Sequence, residues 1–155
     1  MDVSTTAQLS AILINSGLLS SQFDSLRCLE SSSGARGFVA DLVRIFLDDS
    51  DARIDRMEAI LRSSVPDLAE LERLANKMLG SSDTFGAVAV AHYCKILSEE
   101  LAQRFDSVEF SGILSRIKTE LATLRPLLEL YLTLEKGDAP SAASSDEVLR
   151  RAKVD

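Results

Sequence analysis

The sequence has no tryptophan, a single histidine and only two cysteines. Aromatic residues make up 5% of it, so a core has to be built mainly from Leu, Ile, Val and Ala. Cys28 and Cys94 are too few for a disulfide framework and lack metal-ligand spacing, which points to a reducing compartment. No run of roughly 18 consecutive apolar residues occurs, so no membrane-spanning helix is expected. The opening "MDVSTTAQLS" has neither the positive segment nor the apolar run of a signal peptide. Positive charge is also scarce: 17 Lys and Arg against 24 Asp and Glu leave a net charge of −7. Nucleic acid is therefore not an expected partner, because phosphate backbones are held chiefly by cations. No metal cluster, phosphate-binding glycine loop, Ser/His/Asp set or catalytic pair of carboxylates can be picked out, and no cofactor is expected. The expectation is a cytoplasmic or nuclear monomer.

What is present is helical periodicity. The chain has 155 residues, enough for one domain that buries roughly 70% of its unfolded surface. A first helix is predicted from Thr5 to about Ser16, stopped by Gly17, and a second from Ser21 to about Glu30. "SSSGARG" reads as a loop. A long helix then runs from Arg36 to Arg62, with Val39, Val43, Phe46, Ser50, Ile54, Met57 and Leu61 on one face. Ser64, Pro66 and Asp67 are start signals for a fourth helix, with Ser64 as the cap, whose buried face is Leu68, Leu71, Ala75, Met78, Ser82 and Phe85. A fifth begins near Gly86 and carries Val90, Cys94, Leu97 and Leu101. The sixth spans Ser107 to Glu135, with Phe110, Leu114, Ile117, Leu121, Leu124, Leu128 and Tyr131 in one stripe. Pro126 should kink or break it. This pattern predicts an all-α fold, an antiparallel four-helix bundle with a two-helix N-terminal extension, over residues 1–136. Residues 137–155, rich in Ser, Ala, Gly and Pro at their start, are expected to be a disordered tail.

"LANKMLGSSDTFGA" contains one residue that a helix disfavours. Gly80 inside the fourth helix costs ~1 kcal/mol relative to alanine. At about 100° per residue, Asn76 lies well away from the buried face and Gly80 nearly opposite it, the two stacked four residues apart. Arg73 and Ala69 lie nearby. A clearing of small residues around one polar side chain lets another protein approach the backbone.

"NKMLGSS" followed by "FGA" resembles the phosphorylation motif of plant histidine-containing phosphotransfer proteins, in which His-Gln-x-Lys-Gly-Ser-Ser precedes Ile/Val-Gly-Ala. "GLLSSQFDSLRCLE" (17–30) and "FVADLVRIFLDDS" (38–50) are similar to two further segments of that family, and Cys94 falls where a cysteine is common. The resemblance covers about residues 5 to 135. It implies a phosphotransfer-domain fold and, as partners, the receiver domains of sensor histidine kinases and response regulators. The implied receiver-binding face is Ala69, Arg73, Asn76, Lys77, Leu79, Gly80 and Asp83. Three positions depart from the pattern: Asn76 replaces the phospho-accepting histidine, Lys77 the glutamine, and Leu79 the lysine that steadies the phosphoryl group.

A neutral imidazole nitrogen can attack an aspartyl phosphate; an amide nitrogen, conjugated with its carbonyl, cannot. The reading is therefore a pseudo-phosphotransfer protein, not an enzyme, similar to plant proteins that restrain cytokinin signalling by competition. Two alternatives stand beside it. His92, expected to be exposed, could be a relocated phosphosite, although Ile96 one turn on offers no clearance. The chain could also be a generic helical adaptor.

Overall fold

The computed structural model of the chain describes residues 3–137 and 142–152. Thr5 starts helix α1 (Thr6–Asn15) with a capping box, accepting from the Gln8 amide while the Gln8 side chain accepts from the Thr5 amide. Helix α2 (Ser21–Ser33) is capped by Ser20 and ends on Gly34 in the left-handed region. It runs a turn further than its sequence suggests, and its Glu30 carboxylate accepts from the Val39 amide at 2.8 Å. That contact satisfies one of the orphan N–H groups of α3 (Phe38–Arg62), whose own N-cap, Gly37, has no side chain to do so.

Helix α4 (Leu68–Phe85) begins on Asp67, not Ser64: the Asp67 carboxylate accepts from the Glu70 amide at 3.1 Å. Pro66 explains the difference, since it forces Val65 towards extended backbone and delays the helix start. Leu74 is buried and Leu68 is 45% exposed, the reverse of the face assigned from spacing. Leu68 occupies the first helical position, at an end of the bundle where the packing has not begun. Helices α5 (Val88–Gln103) and α6 (Ser107–Glu135) complete the bundle.

In the bundle α3 packs against α4 and α6, and α5 packs against the same two, so each helix has two neighbours and one diagonal partner. The extension lies outside it, α1 on α6 and α2 across α3 and α4. The α6 stripe read from spacing is buried from Phe110 to Tyr131, and so is the α3 stripe from Val39 to Met57, with Leu61 partly exposed. Phe23 of α2 sits edge-on to Phe85 and Tyr131, and Phe85 stacks on Phe46 at 4.4 Å. Four of the eight Phe and Tyr residues thus meet where α2, α3, α4 and α6 converge.

Two expectations are corrected. Of the kink or break expected at Pro126, the break is absent: α6 is continuous through it. The Ala122 carbonyl that loses its donor belongs to an exposed residue and can turn to water, while buried Leu124, Leu127 and Leu128 hold both sides of the proline in place. The tail expected to be disordered contains α7 (Ala142–Arg151), packed on α6 through buried Leu149. Glu147 pairs with Arg150 and Arg151, adding local helical support. Residues 138–141 and 153–155 of that tail lie outside the described residues. No helix is long and apolar enough to cross a membrane, among the described residues.

The turn between α4 and α5 is the tightest point. Gly86 has φ +95°, and a Cβ there would lie 2.8 Å from the Ser20 hydroxyl and 3.1 Å from the Phe23 amide nitrogen. Ser20 donates its amide to the Gly86 carbonyl at 2.8 Å, and Leu19 and Ala87 form an antiparallel bridge.

The two glycines of the motif should respond oppositely. Gly86→Ala should destabilise by about 2–4 kcal/mol, from a left-handed backbone plus a clash with α2. Gly80→Ala, whose Cβ would meet nothing within 4 Å, should stabilise by up to ~1 kcal/mol. Urea unfolding midpoints of the two variants check the pair. The cysteines should also separate: burial pushes the Cys94 thiol up to about 12, with the Ser82 hydroxyl beside it offsetting a little. At pH 8 a thiol reagent should label exposed Cys28 alone in the native chain, and both cysteines only after unfolding.

Candidate functional site

One face of α4 carries the residues singled out from the sequence. Ala69, Arg73, Asn76, Lys77, Gly80 and Asp83 are exposed on it, while Leu79 is half-buried and packs against the core. The arrangement follows from periodicity. Leu71, Leu74, Ala75, Met78 and Ser82 turn inwards, and what remains at a turn's spacing points out. Gly80 is open above its Cα, so a partner can come close to the helix backbone there.

The polar groups of this face are tied down in ways that spacing alone does not disclose. Asn76 is linked to the neighbouring helix: the Ser98 hydroxyl of α5 donates to Asn76 Oδ1 at 3.0 Å. Arg73 is not a free cation. Its Nε and Nη2 both donate to the Glu70 carboxylate, at 2.8 and 2.6 Å. That contact holds the Glu70 carboxyl below its usual range and the Arg73 guanidinium above its own. Ser81 faces α3, where it accepts from Arg53 Nη1 at 3.3 Å. The motif serine is therefore a strut between helices.

Beside Asn76 and Gly80 a shallow groove runs between α4 and α5. Leu79, Val88 and Ala91 form its apolar floor, and Asp83, His92 and Lys95 its polar rim. Sequence reasoning missed Ser98 and Lys95. The signal for both is the antiparallel pairing of α4 with α5 about the Gly86 turn, which sets Ser98 against Asn76 and brings Lys95 to the groove that holds Leu79. His92 is exposed as expected, its ring edge-on to Tyr93 at 5.1 Å.

The site can donate and accept hydrogen bonds, but position 76 holds no basic nitrogen with a free lone pair. Among the described residues no group of three or more His, Cys, Asp or Glu is placed to hold a metal ion.

Comparison with known proteins bears on this arrangement. Residues 41–127 match the model of the Hpt domain, a span that runs from α3 into α6 and includes the whole of α4 and α5. The chain is 32% identical over 90 residues to rice histidine-containing phosphotransfer protein 2, covering 56% of this chain and 60% of that relative. It is 31% identical to rice histidine-containing phosphotransfer protein 1, over 84% of this chain and 90% of the relative. Rice pseudo histidine-containing phosphotransfer protein 2 is 27% identical, over 83% of each. Among solved structures, the maize histidine-containing phosphotransfer protein ZmHP2 superposes with a TM-score of 0.78 at 28% identity, over 84% of this chain and 96% of that one. An all-helical bundle, the match over α3 to α6 and the similarity along nearly all of one relative agree: the chain belongs to the Hpt-domain family of histidine-containing phosphotransfer proteins.

Proposed function

We propose that this chain is a pseudo-phosphotransfer protein: it docks on receiver domains of sensor histidine kinases and response regulators and accepts no phosphoryl group from them. The observation that carries the proposal is Asn76, exposed at the position where the family resemblance places the phospho-accepting histidine. In the relay reaction an imidazole nitrogen forms a bond to phosphorus as the acyl-phosphate P–O bond breaks, and the aspartate carboxylate leaves. An amide nitrogen shares its lone pair with the carbonyl and cannot form that bond. Leu79 also supplies no charge to the transferring group, which electrostatic catalysis of such a step needs.

Docking is kept where chemistry is lost. Gly80 leaves the backbone accessible, Leu79 and Val88 add apolar contact, and Lys77 and Lys95 face outwards. A non-reactive member of the family occupies receivers in proportion to its concentration and affinity, and so lowers relay flux. In a plant cell the relay would be that of cytokinin signalling, and the protein would act in the cytoplasm and nucleus as a negative regulator. Matching relatives include histidine-containing phosphotransfer proteins and one named as pseudo, and the carboxamide at position 76 supports the pseudo reading on chemical grounds.

The test is a phosphotransfer time course from a phosphorylated receiver. The unmodified chain should take up no acid-labile phosphate. Asn76→His should restore slow transfer, and adding Leu79→Lys should raise the rate by roughly tenfold or more. Uptake by the unmodified chain would defeat the proposal, and its loss on His92→Gln would reassign the phosphosite to α5.

A further inference from the structure

A carboxamide has one acceptor oxygen and one NH2 group with two donors. On a free surface an asparagine turns either end to a partner. Asn76 does not have that freedom, because its Oδ1 already accepts from the Ser98 hydroxyl at 3.0 Å. Its Nδ2 group is then the end turned away from Ser98, so the side chain presents chiefly its two N–H donors to a docked protein. Lys77 is exposed beside it on α4, and Lys95 lines the adjoining groove from α5. Asp83 and His92 share that groove, while Arg73 and Glu70 neutralise each other one turn towards the α4 N-terminus. Glu72, exposed one turn before Asn76, and Glu99, exposed next to Ser98, offset these lysines, so the discrimination rests on the oriented amide and not on local net charge.

From this the geometry points to a specificity device: the Asn76 amide, oriented by Ser98, recognises an anion on the docked receiver, and the chain therefore prefers the receiver whose acceptor aspartate carries a phosphoryl group. The inference rests on the docking reading above and deepens it. A phosphoryl group extends beyond the carboxylate it is bonded to and offers several strong acceptor oxygens, so it reaches outward-facing N–H donors that a bare aspartate leaves further away. A hydrogen bond to a charged acceptor is about twice as strong as a neutral one. Ser98 is a positioning residue in this scheme, acting through the amide it holds. The chain would thus sequester receivers in their loaded state, and the loaded group would stay in place because nothing at position 76 can take it.

The test titrates a receiver domain, with magnesium and with or without beryllofluoride bound to its aspartate as a phosphoryl mimic, into the full chain by calorimetry. The beryllofluoride form should bind about tenfold tighter, the equivalent of one charge-assisted hydrogen bond. Ser98→Ala, which frees the amide to turn, should reduce that preference to threefold or less. Asn76→Asp should reverse it, because Ser98 would hold one carboxylate oxygen and aim the other at the anion. Equal binding of both receiver forms by the unmodified chain would overturn the inference alone, as would a preference unchanged in both variants. A chain that binds neither form would defeat the docking reading itself, and this inference with it.

Discussion

Everything at the candidate site depends on how closely the α4–α5 turn approaches the start of α2. Gly86 lies against Ser20 and Phe23 with no space for a side chain, and the Ser20 amide closes the contact on its carbonyl. A left-handed residue at that point reverses the chain abruptly, so the register of α5 against α4 is fixed from the turn outwards. That register brings Ser98 to Asn76. Phe85, one residue before the turn, anchors it into the aromatic cluster with Phe23 and Phe46, where removing a ring would cost about 3–5 kcal/mol. The "FGA" segment of the motif is thus the mechanical part, and the "NKMLGSS" segment the surface it presents.

On the proposed reading, little separates a carrier from a non-reactive copy. Fold, clearance and groove are properties of many residues, and they change slowly under substitution. Nucleophilicity is a property of one nitrogen. Replacing imidazole by carboxamide leaves a polar side chain in the same place, hydrogen-bonded to the neighbouring helix, and removes only the available lone pair. Leu79 turns half into the core instead of offering a cation, so its position adds apolar contact at the edge of the groove. On that reading both differences weaken transfer, and Gly80 leaves the approach to the helix open.

Much of the architecture was legible because it rests on a 3.6-residue period. The stripes on α3 and α6 are long, and every residue assigned to the α6 stripe is buried. Ends were harder to read. Ser64 and Pro66 read together as a cap and a first-turn proline, yet the cap is Asp67, and Leu68 fits the inward face by angle but occupies a helix end. The α7 segment was hidden because "GDAPSAASSDE" argues locally against order, whereas Leu149 gains its helix from packing on α6. At the site, the exposure of Asn76 and Gly80 followed from angle alone. The Ser98 contact and the engagement of Arg73 by Glu70 did not, since one joins residues on different helices and the other competes with an equally plausible free guanidinium.

Docking without transfer is open to a competition assay. A phosphorylated receiver is mixed with an authentic phosphotransfer protein while this chain is added in increasing amounts. Phosphate should reach the authentic carrier more slowly as the chain is added, no label should appear on the chain, and Gly80→Gln, which obstructs the approach to α4, should relieve the inhibition. Undiminished transfer at saturating concentrations of the chain, or label accumulating on it, would rule out docking without transfer.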